Sequence, residues 1–211
     1  MILIFHGVVM LKKNKKNTQL SGRCDWCGDD PLYVKYHDEE WGRPEPDDDR
    51  KMFEFLILES AQAGLSWITI LRKRENYRKA FAGFRANKVA AFDESDVERL
   101  MGDPGIVRNR LKINAAINNA RLFLEIRAKH GSFCDYLRSY LPNGEPIINH
   151  PGALADIPAS TGLSDTISRD MKRLGFKFFG STICYAHLQA TGLVNDHLES
   201  CPFKYGNPFA K

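Results

Sequence analysis

Residues 164–192, SDTISRDMKRLGFKFFGSTICYAHLQATG, hold two helical runs separated by FKFFG, a stretch too short for a domain linker. Gly175 suits a left-handed helix exit, and Ser181 suits the cap of the second run. The segment therefore reads as two antiparallel or crossed helices joined by a tight turn. The second helix would offer unpaired N–H groups near Gly180 and Ser181, beside Lys177, and such groups bind phosphate. An ordinary αα-hairpin packing a core fits the same pattern, and shape alone favours it.

Helical periodicity extends outward from this segment. PDDDRKMFEFLILESAQAG (46–64) opens on acids suited to a helix N-terminus and closes on glycine. SWITILRKRENYRKAF follows, with Ser66 as its cap. In DPGIVRNRLKINAAINNARLFLEIRAKHG (103–131) Pro104 takes a first helical position. Ile106, Ile113, Ile117, Ala120 and Leu124 form an apolar stripe, and Gly131 ends the helix. Shorter helices start near Asn87, Asp93 and Ser132. The expected fold is all-α, over residues 21–205, as one domain or two intimate helical lobes. Residues 1–20 read as a disordered leader and 206–211 as a short tail.

That leader, MILIFHGVVMLKKNKKNTQL, puts its apolar block before its lysines and lacks a small-residue cleavage site, the wrong order for a secretory signal. No apolar run approaches the roughly 20 residues of a membrane span, so a cytoplasmic protein without membrane contact is expected. Five cysteines in such a chain point to thiols or metal ligands, not a disulfide frame. Lys12, Lys13, Lys15 and Lys16 account for all of the net charge of +4. Residues 101–211 nevertheless carry 13 basic against nine acidic groups, a weak positive excess suited to a phosphate backbone. A solvated surface explains the same excess, and charge alone favours it.

Cys24 and Cys27 stand two residues apart in RCDWCGDD. His37 has no second histidine after it to complete an ordinary finger, and the acidic GDDP turn disfavours a redox thiolate. His197 and Cys201, four apart, would share one face of a helical turn, and with Cys24 and His37 they make an S₂N₂ set of the zinc type. Spacing this wide equally allows separate buried histidines and inert thiols. Glu59 raises a different question. It shares a helix face with Met52, Phe55, Leu56 and Ala63, where a carboxylate is costly unless partnered. A buried ion pair with an arginine of the next helix is an equal reading, and Trp67, at a helix start, is ordinarily core.

RCDW, DPLYVKYHDEEWG, FEFLILESAQAGLSWITILRKRENYRKAF, LGFKFFGSTICY and GLVNDHLESC occur in that order over residues 23–201. In combination they resemble the bacterial 3-methyladenine DNA glycosylase I family, alkylation-repair enzymes of the helix-hairpin-helix superfamily. The resemblance implies a helix-hairpin-helix glycosylase fold with a structural zinc joining the N- and C-terminal segments. Its ligands fall on Cys24, His37, His197 and Cys201, one zinc per chain; Cys27 has no counterpart. Glu59 matches the pocket acid that accepts hydrogen bonds from the alkylated base. Trp67 matches the residue stacking on that base, Tyr36 a second hydrogen-bonding group, and Trp26 and Tyr33 aromatic walls. Gln62, Gly64 and Leu65 match the loop that enters the space the base vacates.

The implied activity is hydrolytic excision of N3-methyladenine from double-stranded DNA by a monomer. LVNDH sets Asn195 where many superfamily relatives have their catalytic Asp, and no hairpin lysine is placed for Schiff-base chemistry. A monofunctional enzyme without lyase activity follows. A non-catalytic zinc-stapled DNA-binding protein and a glycosylase for another lesion are the competing classes.

Overall fold

The computed structural model describes residues 22–43 and 48–206. The leader, Ser21 and residues 207–211 of the expected tail lie outside the described residues. The helices are α1 (Pro31–Glu39), α2 (Asp49–Gln62), α3 (Trp67–Ala80), α4 (Ala86–Ala90), α5 (Glu94–Gly102), α6 (Arg110–His130), α7 (Phe133–Arg138), α8 (Gly162–Leu174) and α9 (Ser181–Ala190). Strand structure among the described residues is one parallel pair, β1 (Ile147–Ile148) beside β2 (Val194–Asn195). No described helix is long and apolar enough to cross a membrane.

α2 is the axis of the molecule. Every residue from Met52 to Gln62 is buried, so this helix has no solvent face over that span. It packs against α3, α6, α7 and α9. Phe53 meets Phe123 of α6 with ring centroids 5.1 Å apart, and Phe123 stacks on Phe133 of α7 at 4.5 Å. Burying each such ring contributes about 1.5–3 kcal/mol. His187 of α9 lies within 3.0 Å of the Met52 carbonyl, tying α9 to the same helix.

Local chemistry sets the helix ends. The Asp48 carboxylate accepts from the Arg50 and Lys51 amides at the start of α2, and Asp93 makes a capping box on α5. Ser132 caps α7 as expected. Two expected helix starts, those of α6 and α9, are corrected. α6 begins at Arg110, not near Pro104, because Asn109 caps it by accepting from the Lys112 amide. Ile106 is still buried, but from the turn before the helix. Ser66 sits at the cap position of α3 with its hydroxyl on Thr69 Oγ1 (2.6 Å), not on a backbone amide. Gly180, not Ser181, occupies the cap position of α9; the Ser181 hydroxyl pairs with Ser164 Oγ of α8 at 2.8 Å.

Candidate functional site

α1, the C-terminal half of α2 and the start of α3 converge on one aromatic cluster. Pro31 at the first position of α1 and Asp30, which accepts from the Leu32 amide, fix the helix start. The helical period then turns Tyr33, Tyr36 and His37 inward. Tyr36 lies 5.4 Å from Trp67 and 6.2 Å from Phe55, centroid to centroid. Trp26 crosses Tyr33 edge-on at 5.1 Å and approaches Tyr36 at 6.4 Å. The four aromatics named from the sequence thus stand together.

Glu59 is 0% exposed. Burial pushes its carboxyl well above its ordinary range. Tyr36 is raised by burial first and then by the charge of Glu59, and the same two causes act on Tyr33. The phenol of Tyr36 therefore stays protonated, and its buried hydroxyl makes no hydrogen bond among the described residues. The α3 arginines are engaged by other acids. Arg72 pairs with Asp30, Arg74 with Glu40 and Glu54, and Arg78 with Glu54 and Glu75. Glu54, five residues before Glu59 on α2, pairs with both Arg74 and Arg78.

Between α2 and α3 the chain makes a type II turn over 62–65. Ala63 has φ −43° and ψ 112°, Gly64 has φ +83°, and the Leu65 amide donates to the Gln62 carbonyl at 2.6 Å. Only the third position needs positive φ, and glycine fills it. Leu65 is 37% exposed. Gln62, expected to face DNA with it, is buried instead, because it still belongs to the last turn of the central helix. Lys112 of α6 donates to the carbonyls of Ala61 (2.8 Å) and Ala63 (2.7 Å).

The hairpin between α8 and α9 starts with Gly175 at φ +101°. Lys177, Phe178 and Gly180 are exposed, with Phe178 at φ +51°. Side chains from elsewhere hold this turn. Asn119 accepts from the Lys177 amide (2.9 Å) and donates to its carbonyl (2.8 Å); Asn118 donates to the Gly175 carbonyl (3.0 Å). Ser60, next to Glu59, donates to the Phe178 carbonyl at 3.1 Å. The hairpin is thereby bonded directly to the helix that carries the buried acid. These holding residues escaped the sequence reading, although two adjacent asparagines within an apolar helical stripe are the signal of a buried polar pair.

A second cluster lies beside α1. One ligand atom each from Cys24, His37 and Cys201 lies within 4.8 Å of the others. His37 Nε2 is 3.6 Å from Cys201 Sγ, and its Nδ1 is 2.8 Å from Asp38, itself held by Arg23. His197 stands outside this tight trio, with its ring centroid 4.8 Å from that of His37. Its Nδ1 is 2.9 Å from Asn195 Oδ1, while its buried Nε2 has no hydrogen-bond partner among the described residues. Burial, then the neighbouring His37, hold its pKa down to about 3, so the ring is neutral.

The Cys24 thiol donates to Cys201, and this bond, opposed by burial and aided by His37, brings Cys201 down to about 4. Cys27 instead donates its thiol to the Cys24 carbonyl at 3.2 Å. Residues 197–201 form a turn closed by the Cys201 amide on the Leu198 carbonyl, not the helical face expected. Gly42 is needed here, since a Cβ would sit 2.9 Å from His197 Nδ1. Next along the chain, Asp196 is locked by Tyr185 (2.6 Å), Gln189 (2.6 Å) and Asn149 (2.7 Å).

Comparison with known proteins gives one answer throughout. A model of the methyladenine glycosylase family matches residues 26–205. DNA-3-methyladenine glycosylase 1 of Escherichia coli (strain K12) is 51% identical over 185 residues, 88% of this chain and 98% of that protein. A crystal structure of 3-methyladenine DNA glycosylase I superposes with a TM-score of 0.82 at 52% identity, covering 85% of this chain and 98% of that one. A tyrosine-to-phenylalanine variant of 3-methyladenine DNA glycosylase I, solved in complex with 3-methyladenine, superposes with a TM-score of 0.83 at 40% identity, covering 87% and 98%. With the family model spanning residues 26–205 and a relative 51% identical over nearly its whole length, this chain belongs to the methyladenine glycosylase family.

Proposed function

We propose that this chain excises N3-methyladenine from alkylated double-stranded DNA, and that the buried carboxyl of Glu59, close enough to act on Tyr36 and Tyr33, recognises the base. Family membership and the complex of a relative with 3-methyladenine support the substrate. The single observation that carries the reading is Glu59 itself. A wholly buried carboxyl, raised in proton affinity by burial and close enough to act on the phenols of Tyr36 and Tyr33, suits a cationic, donor-bearing base.

N3-methylation makes the adenine positively charged and weakens its bond to deoxyribose. The base is flipped out of the stack at a cost of a few kcal/mol. Trp67 stacks on its electron-poor face, Tyr36 donates a hydrogen bond, and Glu59 accepts from its polar edge. Trp26 and Tyr33 wall the site, while Leu65 at the 62–65 turn fills the gap in the stack. The C1′–N9 bond then breaks with its electron pair going to the base, which leaves neutral. Water attacks C1′ and loses its proton to solvent, leaving an abasic site. Asp196, held by three donors, serves the fold and not the water. We read the enzyme as a monofunctional glycosylase without lyase activity, acting as a monomer.

The hairpin holds the DNA backbone in the helix-hairpin-helix manner, with the first N–H groups of α9 at Gly180 and Ser181 aimed at phosphate and Lys177 beside them. Zn²⁺ fits the Cys24, His37, His197 and Cys201 set. In both histidines Nδ1 is engaged by an oxygen, which leaves Nε2 as the ligand atom, and a buried Nε2 on His197 calls for a partner. Four protein ligands leave no open position, so the ion is structural. The experiment is base release from methylated duplex DNA, resolving N3-methyladenine, N3-methylguanine and N7-methylguanine by chromatography. Release dominated by N3-methyladenine is expected; release of N7-methylguanine alone, or of none, contradicts the assignment.

A further inference from the structure

Lys112 is a partly buried cation whose hydrogen bonds go to the turn ahead of the pocket. Asn109 starts α6 so that Lys112 falls in its first turn, facing the end of α2. There its ammonium donates to Ala61 O and Ala63 O, the carbonyls on either side of Gln62. Carbonyls at a helix C-terminus lack intrahelical donors and carry partial negative charge, so a cation there both satisfies and neutralises them. The small cavity beside Lys112 is lined mainly by apolar and aromatic side chains, including Ile57, Tyr77, Phe81, Ile106 and Val107. Burial in this setting pulls the lysine pKa down, which an apolar residue would avoid. Two further features make the turn depend on being held. Gly64 takes a φ of +83° with open space around the position of a Cβ, and Leu65 at its end is 37% exposed.

We propose that Lys112 is a positioning residue that locks the 62–65 turn in the shape from which Leu65 enters the base stack. This rests on reading that turn as the wedge, so the test separates the two. Wild type, Leu65→Ala, Lys112→Met, Lys112→Gln, Lys112→Arg and the Leu65→Ala/Lys112→Met pair are compared by single-turnover excision from methylated duplex. Binding of free 3-methyladenine, followed by tryptophan fluorescence, serves as the second readout, because a free base needs no wedge. Lys112→Met should lower duplex excision roughly tenfold, the scale of losing charged hydrogen bonds that order a loop. Lys112→Gln, with a neutral donor, should fall between, and Lys112→Arg should restore most of the rate. Free-base binding should be unchanged in all of them, and the double variant should be no slower than Leu65→Ala, as expected for two residues acting through one turn. Slow excision by Leu65→Ala with wild-type excision by Lys112→Met overturns the role of Lys112 and leaves the wedge standing. Wild-type excision by Leu65→Ala overturns the wedge and this proposal together. Loss of free-base binding in Lys112→Met assigns the residue to the fold alone and also overturns it.

Discussion

Glu59 keeps its proton in the folded chain over a pH range in which the unfolded chain has lost it. Its raised affinity comes from burial, starting from an ordinary value of 4.5. The native state therefore binds more protons than the unfolded state above that value, and stability falls as pH rises until the folded group ionises. Glu59→Gln removes the titration. The variant should gain stability over the wild type as pH rises from about 4.5 to 8, with the difference vanishing at lower pH, in thermal melts across that range. An advantage that is flat with pH contradicts an acid whose proton affinity is raised by burial. This residue was visible in the sequence because it falls on a helix face otherwise made of Met52, Phe55, Leu56 and Ala63. What the sequence did not show is that Glu54 and Glu40 share Arg74. Lys112 was invisible, since its carbonyl partners lie 51 and 49 residues away and a surface-type residue in a helix carries no such sign, whereas the Asn118–Asn119 pair was a sign left unread.

At the scale of elements, the hairpin is a rigid anchor because three side chains from two other helices hold its backbone. Asn119→Ala removes the donor and acceptor that Lys177 uses and leaves both of its backbone groups to find water. A loss of roughly 1–3 kcal/mol in stability is expected. Binding to undamaged DNA should weaken as well, measured by anisotropy. Lys177→Ala should act differently, weakening binding to all sequences alike and lowering the salt-dependence slope by about one. A sequence-selective loss contradicts a phosphate contact. Helices with strong end chemistry were legible: Asp93, Ser132, Gly131 and Gly175 all mark ends as read. The misplaced starts share one cause. Pro104 and Ser181 are good candidates by local preference, but Asn109 and the Ser164–Ser181 hydroxyl pair decide the outcome, and the latter is a tertiary contact.

The whole molecule is closed by its ends, with Cys24 and His37 from the first described segment meeting His197 and Cys201 from the last. Each chain should carry one zinc. Cys24→Ser should lose it, with a stability loss of ~3 kcal/mol, or about 6–12 °C in Tm for a chain of this size. Cys27→Ser should keep the metal, because that thiol is spent on the Cys24 carbonyl; equal zinc loss in both variants contradicts the assigned set. Spacing alone left this cluster open, since ligands more than 160 residues apart give no local pattern. Family resemblance supplied the pairing, and the geometry gathers three of the four ligands tightly. Those closed ends also steady α1, which places Tyr36 beside His37 and over the acid. The account therefore turns on one side chain, and single-turnover excision of N3-methyladenine by Glu59→Gln tests it most directly. Gln keeps the shape but presents a donor where the base needs an acceptor, a mispairing of roughly 1–3 kcal/mol that slows excision about tenfold to a hundredfold. Affinity for undamaged DNA should be unchanged, since the proposed backbone contacts lie in the hairpin and not at Glu59. Wild-type excision by a well-folded Glu59→Gln protein would contradict the account and return Glu59 to the core as a structural acid.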